Sequence, residues 1–188
     1  MRVARYAAVI AVLSRYVVGG TDVNRTYPLF KQCVSDGGPW GDDIMVTKTI
    51  CQVGCLMSSV SMALNGTGIP INATTPSDPG TLNAWLRANG GYDNSNDLIE
   101  TKVPEISPDR IAWPDDGMHK ANDLSIAEVR DFLDEGRIVI LNVMNGEHFV
   151  LCVGVDADSS LYLVNDSGFT RGNYSYGEVV GYRIFDMN

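Results

Sequence analysis

Residues 146–168, GEHFVLCVGVDADSSLYLVNDSG, contain two apolar runs separated by a polar segment. Residues 148–155 and 161–164 are rich in β-branched and aromatic side chains, which favour strands. Between them, residues 156–160 consist mainly of Asp and Ser, which favour turns. Two apolar runs joined by a short polar segment predict an antiparallel hairpin.

Two further apolar runs flank this hairpin. Residues 137–144 precede it across Asn145-Gly146, a pair typical of tight hairpin turns, and residues 179–185 follow it. Consecutive strands that are joined by short turns pair antiparallel. The last quarter of the chain is therefore predicted to form an antiparallel sheet.

Helical spacing of apolar residues occurs upstream of the sheet. The three segments concerned are residues 54–66, 81–89 and 125–133. Asn65-Gly66 is a suitable C-cap for the first helix, and Ser125 with Glu128 forms a capping box for the third. Residues 21–50 are predicted to be irregular, and residues 92–124 to hold short strands and loops. With helices first and sheet second, the predicted fold class is α+β.

Composition and charge restrict the possible partners. With 188 residues, 45% of them hydrophobic and 20% charged, the chain is large enough for one globular domain with a core. A net charge of −9 argues against nucleic acid or an anionic membrane as partner, because both require a basic surface. No apolar stretch is long enough to predict a membrane-spanning segment after processing. Nothing implies a cofactor or a metal, and the oligomeric state is not predicted.

The amino terminus has features of a signal peptide. Residues 1–5 are basic, residues 6–13 are apolar and residues 17–20 offer small side chains for cleavage, although Arg15 interrupts the pattern. Five Asn-x-Ser/Thr acceptors begin at Asn24, Asn65, Asn72, Asn165 and Asn173. Together these features predict signal peptide 1–20, a single domain 21–188 and a secreted or lysosomal/vacuolar glycoprotein. A cytosolic protein rich in Asn and Ser is the alternative.

A candidate nucleophile stands at the start of the first predicted helix. Cys55 follows Gly54, and the amino-terminal end of a helix favours a thiolate, as does a neighbouring imidazolium. The chain contains two histidines, His119 and His148, and the second lies at the start of a predicted strand. A cysteine in this position is more often an inert packing residue, so the thiol alone does not establish catalysis.

Strand order brings a third polar residue to His148. In an antiparallel hairpin the end of one strand lies beside the start of its neighbour. Residues 161–164 are followed by Asn165 and Asp166, so one of these two side chains is predicted to lie beside His148. There it could orient the imidazole and fix its tautomer, as the third member of a catalytic triad does.

Short motifs along the chain resemble the peptidase C39-like family. They are YPLFKQC at 27–33, WG at 40–41, TI at 49–50, GC at 54–55, MAL at 62–64, G-x-H-F-V at 146–150 and V-N-D-x-G at 164–168. The resemblance covers residues 27–185. It implies a papain-like cysteine-proteinase fold, with N-terminal helices packed on a C-terminal antiparallel sheet. It also implies a Cys-His-Asp or Cys-His-Asn triad, with an upstream Gln that completes the oxyanion hole.

Carried over to this chain, the resemblance implies Cys55 as nucleophile, His148 as general base, Asp166 as orienting residue and Gln32 as oxyanion donor. Asn165 and Gln52 are the rivals for the last two roles. The implied function is a thiol hydrolase, a peptidase or amidase that acts on a peptide or protein substrate through an acyl-enzyme. A catalytically inactive papain-like binding or structural module is the alternative, and acyl transfer is a third possibility.

The remaining cysteines are expected to be structural. Cys33 and Cys51 are the predicted disulfide pair in an oxidising compartment, and Cys152 is predicted to be a buried free thiol in a core strand. The acceptor at Asn165 is predicted to remain without a glycan, since a glycan there would obstruct the site.

Overall fold

The computed structural model describes residues 23, 24 and 26–188. Within them the α-helices are α1 (Ile50–Val53), α2 (Cys55–Gly66), α3 (Pro79–Ala88) and α4 (Ile126–Asp134). The strands are β1 (Val23–Asn24), β2 (Ile111–Ala112), β3 (Met118–His119), β4 (Ile138–Val143), β5 (His148–Asp156), β6 (Leu161–Asn165), β7 (Asn173–Ser175) and β8 (Gly181–Met187). Short 3₁₀ helices span Val34–Asp36, Glu100–Ile106, Met144–Gly146 and Tyr176–Glu178. The predicted signal peptide lies outside the described residues.

The eight strands of the described chain form one antiparallel sheet. Its order is β2-β8-β4-β5-β6-β7, with β1 paired to β5 and β3 paired to β8. At one end of β5, His148 lies opposite Val143 of β4, and further along β5 Leu151 lies opposite Asn165 of β6. The predicted hairpin and the α+β class are therefore confirmed. β1 lies in a segment that was predicted to be irregular.

Two apolar cores lie on opposite faces of the sheet. On one face, Met57 and Val60 of α2 pack with Ile140 and Leu151 of the central strands. On the other face, Val129 and Leu133 of α4 belong to a second cluster with Leu141, Val150 and Cys152. Successive residues of β5 thus alternate between the two cores, as the pleat requires. Helix α2 is covered by the sheet and α3, and residues 55–64 are all buried.

The helices begin where side chains can cap them. Ser125 accepts a hydrogen bond from the Glu128 backbone N–H and heads α4 as predicted. The prediction for α3 was two residues late, because Asp78 caps the helix and Pro79 occupies its first position. Helix α1 was not predicted; Thr49 and Gln52 form its capping box. Among the residues that the structure describes, no helix has the length and apolar character needed to cross a membrane.

Candidate active site

Cys55 opens α2 at the bottom of a cleft. The turn that joins α1 to α2 is tight at Gly54, where a Cβ atom would lie 2.6 Å from the Ile50 carbonyl oxygen. This close approach sets Cys55 as the first residue of α2, with 9% of its surface exposed. The amino-terminal end of a helix has unpaired backbone N–H groups and a partial positive charge, and Cys55 stands at that end of α2.

His148 connects Cys55 to Asp166. Its Nε2 lies 2.7 Å from Asp166 Oδ1, and the two side chains are 7% and 0% exposed. Because Nε2 is engaged with Asp166, Nδ1 is the ring nitrogen left for Cys55. Burial lowers the pKa of His148, but hydrogen bonds to Asp166 and Cys55 outweigh burial and raise it to about 9. The imidazole therefore carries both protons at neutral pH.

Four donors hold the carboxylate of Asp166. Oδ1 accepts from His148 and from the backbone N–H groups of Gly168 and Phe169, both at 2.9 Å. Oδ2 accepts from the hydroxyl of Tyr174 at 2.8 Å. Burial opposes ionisation, but the hydrogen bonds and the charge of His148 lower the pKa of Asp166. The carboxylate is thus both charged and fixed in direction.

Gln32 lines the same cleft as Cys55 and His148. Its Nε2 donates to the Cys51 carbonyl oxygen at 2.9 Å, and its Oε1 accepts from the Ser167 hydroxyl at 2.9 Å. A carbonyl oxygen can only accept, so Cys51 fixes which end of the amide is nitrogen. One N–H of the amide is used by Cys51, and the other has no acceptor within the described chain. It is available to a ligand in the cleft.

The cleft has a volume of about 1100 Å³. Beside the polar residues, its walls include the exposed apolar side chains of Met118, Met144 and Phe169. Phe169 also stands edge-on to the His148 ring, with 5.1 Å between ring centroids. The cleft is thus large enough for several residues of an extended peptide, and Phe169 shields the imidazole from water.

Residues 25–183 match the family described as the Peptidase_C39 like family. The chain belongs to this family. No curated protein matches the chain. The resemblance inferred from the sequence motifs is therefore confirmed, and the α+β papain-like architecture agrees with it. Membership of the Peptidase_C39 like family supports a peptidase-type function.

The structure distinguishes Asn165 from Asp166, and Gln52 from Gln32, by their hydrogen-bond partners. Asn165 directs its Nδ2 to the carbonyl oxygens of Tyr27 and Pro28, at 3.1 and 3.2 Å, and Asp166 is the neighbour of His148. Gln52 also borders the cleft, but its Oε1 accepts from the Thr49 backbone N–H at 2.9 Å as part of the α1 capping box. Cys55, His148, Asp166 and Gln32 are the candidates that the fold brings together.

The other cysteines of the C39-like chain have the predicted states. Cys33 and Cys51 form a disulfide. Cys152 is a free, buried thiol, and burial raises its pKa to about 12. The bridge joins the residue after Gln32 to α1, which directly precedes Cys55.

Tyr174 was missed by the sequence prediction. It belongs to β7, a three-residue strand in which only the central residue is buried. Such a strand has no apolar run, and the hydroxyl contact to Asp166 depends on the pairing of β7 with β6. The available signal was a tyrosine within a polar segment near the chain end, which is too common to identify a site.

Proposed function

We propose that the protein is a thiol hydrolase, a peptidase or amidase that cleaves peptide bonds through a Cys-His-Asp triad. The observation that carries this proposal is that His148, which lines the same cleft as Cys55, is bonded to the buried carboxylate of Asp166. In this proposal Cys55 is the nucleophile, His148 the general acid and base, and Asp166 the orienting residue. Gln32 donates to the oxyanion.

The chemistry proceeds in two stages. The Cys55 thiolate attacks the carbonyl carbon, and the oxygen that becomes negative accepts from Gln32 Nε2 and the Cys55 backbone N–H. When the C–N bond breaks, His148 gives its Nδ1 proton to the departing amine, which leaves an acyl thioester. Neutral His148 then removes a proton from water, whose oxygen attacks the thioester. The acid product departs and Cys55 is again a thiolate.

The surroundings of the imidazole support this sequence. Asp166 engages Nε2, so proton transfer is confined to Nδ1, the atom available to Cys55 and the leaving group. A pKa of about 9 keeps His148 protonated before attack, when it has to act as an acid. After that proton is given away, Asp166 favours its return, which makes the imidazole a base toward water.

The second candidate function is a non-catalytic binding module with the same fold. The restricted exposure of Cys55, 9%, and the Phe169 ring against His148 favour it, since both limit access to the sulfur. A Cys55→Ala variant separates the two functions. A binding module keeps its full biological effect without the thiol, whereas a hydrolase loses activity.

Alkylation kinetics test the hydrolase proposal directly. Iodoacetamide is applied at pH 6, where an ordinary thiol with a pKa of roughly 8.5 is about 0.3% thiolate. Peptide mass spectrometry is expected to find Cys55 modified many times faster than N-acetylcysteine, and Cys152 unmodified. His148→Ala is expected to remove the excess reactivity of Cys55. If Cys55 reacts no faster than N-acetylcysteine, or His148→Ala has no effect, the proposal is wrong.

We also propose that residues 21–188 are one catalytic domain that follows signal peptide 1–20 and enters the secretory route. The Cys33–Cys51 disulfide supports an oxidising compartment. Asn72 and Asn173 are exposed acceptors, whereas the Asn165 amide is bonded to the chain. Expression in a secretory host is expected to give a mature chain without residues 1–20 and without a glycan on Asn165. Retention of those residues in the secreted product contradicts the proposal.

A further inference from the structure

Two distant segments meet behind the triad. Residues 27–32 precede the helices, and residues 166–169 follow β6. The Gln32 backbone N–H donates to the Ser167 carbonyl oxygen at 3.0 Å, and the Ser167 hydroxyl donates to the Gln32 side chain at 2.9 Å. The turn that carries Asp166 is therefore attached to the segment that carries Gln32.

Lys31 makes the charged contact between these segments. Its Nζ donates to the Asp166 carbonyl oxygen at 2.9 Å and to the Phe169 carbonyl oxygen at 2.5 Å. These carbonyls belong to the first and last residues of the turn at 166–169. Inside the turn, the N–H groups of Gly168 and Phe169 donate to the Asp166 carboxylate. Lys31 thus binds the outer side of the same turn whose inner side holds the carboxylate of Asp166.

Among residues 23, 24 and 26–188, no carboxylate pairs with the Lys31 ammonium. Of the ion pairs in the described part of the chain, none includes Lys31, and its side chain is half-buried. Two backbone carbonyl oxygens accept from the ammonium, so a drift of the turn away from Lys31 breaks both hydrogen bonds.

The turn has little freedom on its inner side either. A Cβ atom on Gly168 would lie 3.0 Å from His148 Cε1 and 3.6 Å from Gln32 Oε1. The Phe169 ring stands edge-on to the His148 ring. A shift of the turn toward solvent would therefore weaken the contacts that Asp166 and Phe169 make with the His148 ring.

We propose that Lys31 is a positioning residue, whose ammonium holds the 166–169 turn so that Asp166 and Phe169 stay against His148. Its catalytic consequence rests on the proposed hydrolase function. Lys31 does not touch the reacting atoms, and it acts through Asp166 and Phe169 alone.

When Lys31 is removed, the direction in which the pKa of His148 moves distinguishes a positioning role from a simple charge effect. If Lys31 acted only as a nearby positive charge, its removal would make protonation of His148 easier and raise the pKa. If Lys31 positions the turn, its removal loosens the contact with Asp166 and lowers the pKa. A purely structural lysine would leave the pKa of His148 unchanged in the folded protein.

The experiment compares Lys31→Met, Lys31→Arg and the control Lys102→Met. Lys102 is a half-buried lysine, as Lys31 is, but it is paired with Glu105 and does not line the cleft. The two histidine rings are followed by NMR across pH, with a His119→Gln variant to assign them. Lys31→Met is expected to lower the pKa of His148 by about one unit, within the range of a weakened ion pair. Lys31→Arg is expected to retain most of the wild-type value, and Lys102→Met all of it.

Hydrolysis of a peptide amide against pH provides the second readout. In Lys31→Met the fall of kcat/KM at high pH, where His148 loses the proton that it gives to the departing amine, is expected to begin about one unit lower than in the wild type. An unchanged or raised pKa of His148 in folded Lys31→Met overturns the inference. If Lys31→Met does not fold, Lys31→Gln is judged by the same criterion. A wild-type Cys55 of ordinary reactivity together with a lowered pKa in Lys31→Met rejects the hydrolase and keeps the positioning role.

Discussion

His148 Nε2 lies 2.7 Å from Asp166 Oδ1, and the side chains of both residues are almost completely withdrawn from solvent. A buried pair of opposite charges is stable only when its remaining hydrogen-bonding groups are satisfied. Here two backbone N–H groups and the Tyr174 hydroxyl donate the remaining hydrogen bonds to the Asp166 carboxylate. Removal of Asp166 takes the counter-charge from the buried imidazole, and removal of His148 leaves the carboxylate with these three neutral donors alone.

Asp166→Asn is expected to lower the pKa of His148 from about 9 by about 1–3 units, the usual effect of losing an adjacent opposite charge. NMR titration of the ring measures the change. Asp123→Asn is the matched control, because Asp123 Oδ1 lies 2.9 Å from the ring of the other histidine, His119, and is exposed. If both variants shift His148 equally, the effect is not due to the pair in the cleft.

The same pair makes folding stability depend on pH. The raised pKa of His148 contributes stability that is complete below about 6.5 and is lost as pH rises through about 9. The lowered pKa of Asp166 contributes stability that is present above the ordinary value of 3.8 and is lost as pH falls through the folded value. Urea unfolding at pH 6 and pH 9 is expected to show a decline for the wild type and a smaller decline for Asp166→Asn.

The sequence predicted the neighbourhood of His148 because a hairpin has few possible registers. The end of β6 lies beside the first part of β5, with Asn165 opposite Leu151. The choice between Asn165 and Asp166 could not be made from the pattern, since it depends on how the chain turns after the strand. Asn165 turns toward Tyr27, a residue more than a hundred positions away. Contacts of that separation leave no periodic signal in either segment.

The helix that carries Cys55 was predictable for a local reason. A continuous apolar segment with a glycine before it and Asn-Gly at its end determines its own helix. The role of Lys31 was not predictable, because its partners are backbone carbonyl oxygens of a remote turn. Every residue has a backbone carbonyl oxygen, so the residue types at 166 and 169 do not indicate this contact. Local sequence patterns therefore predict the helix and strands that carry the site. The alignment of these elements depends on long-range hydrogen bonds, which the patterns do not predict.

Gln32→Ala is expected to lower kcat by about 10²–10³-fold, the usual cost of one oxyanion donor, with a much smaller change in KM. Alkylation of Cys55 at pH 6 is expected to stay near the wild-type rate, because iodoacetamide generates no oxyanion. Gln52→Ala is the matched control, since Gln52 also borders the cleft but caps α1. Equal losses of kcat in the two variants would exclude Gln32 as a specific donor. Hydrolysis of a fluorogenic peptide-amide library supplies kcat and KM.

Gly168→Ala is expected to reduce the reactivity of Cys55 several-fold while the protein remains folded. The new methyl group would lie 3.0 Å from His148 Cε1, which is too close, so the imidazole or the turn has to move. Gly172→Ala is the control, because no atom lies within 4 Å of a Cβ atom there. Alkylation rates at pH 6 and circular dichroism test the prediction. Wild-type reactivity in Gly168→Ala would show that the His148 ring can be displaced without a change in the reactivity of Cys55.

The Cys33–Cys51 disulfide is expected to stabilise the fold and to hold Gln32 in place. It joins residues 18 positions apart, and chain-entropy arguments give a loss of about 3 kcal/mol in unfolding free energy when such a bridge is removed. Gln32 donates to the carbonyl oxygen of Cys51, so the double variant Cys33→Ser/Cys51→Ser should also loosen Gln32, the proposed oxyanion donor. Hydrolysis is then expected to fall more than alkylation of Cys55.

Reductant provides a control for that double variant. Cys55 has to be a free thiol while Cys33 and Cys51 remain bridged, so mild and strong reduction should act in opposite directions on the wild type. Mild reductant is expected to restore an oxidised Cys55 and raise activity, and reduction of the bridge is expected to lower it. The double variant should show only the first effect. If strong reductant lowers the activity of wild type and double variant alike, the loss does not come from the bridge.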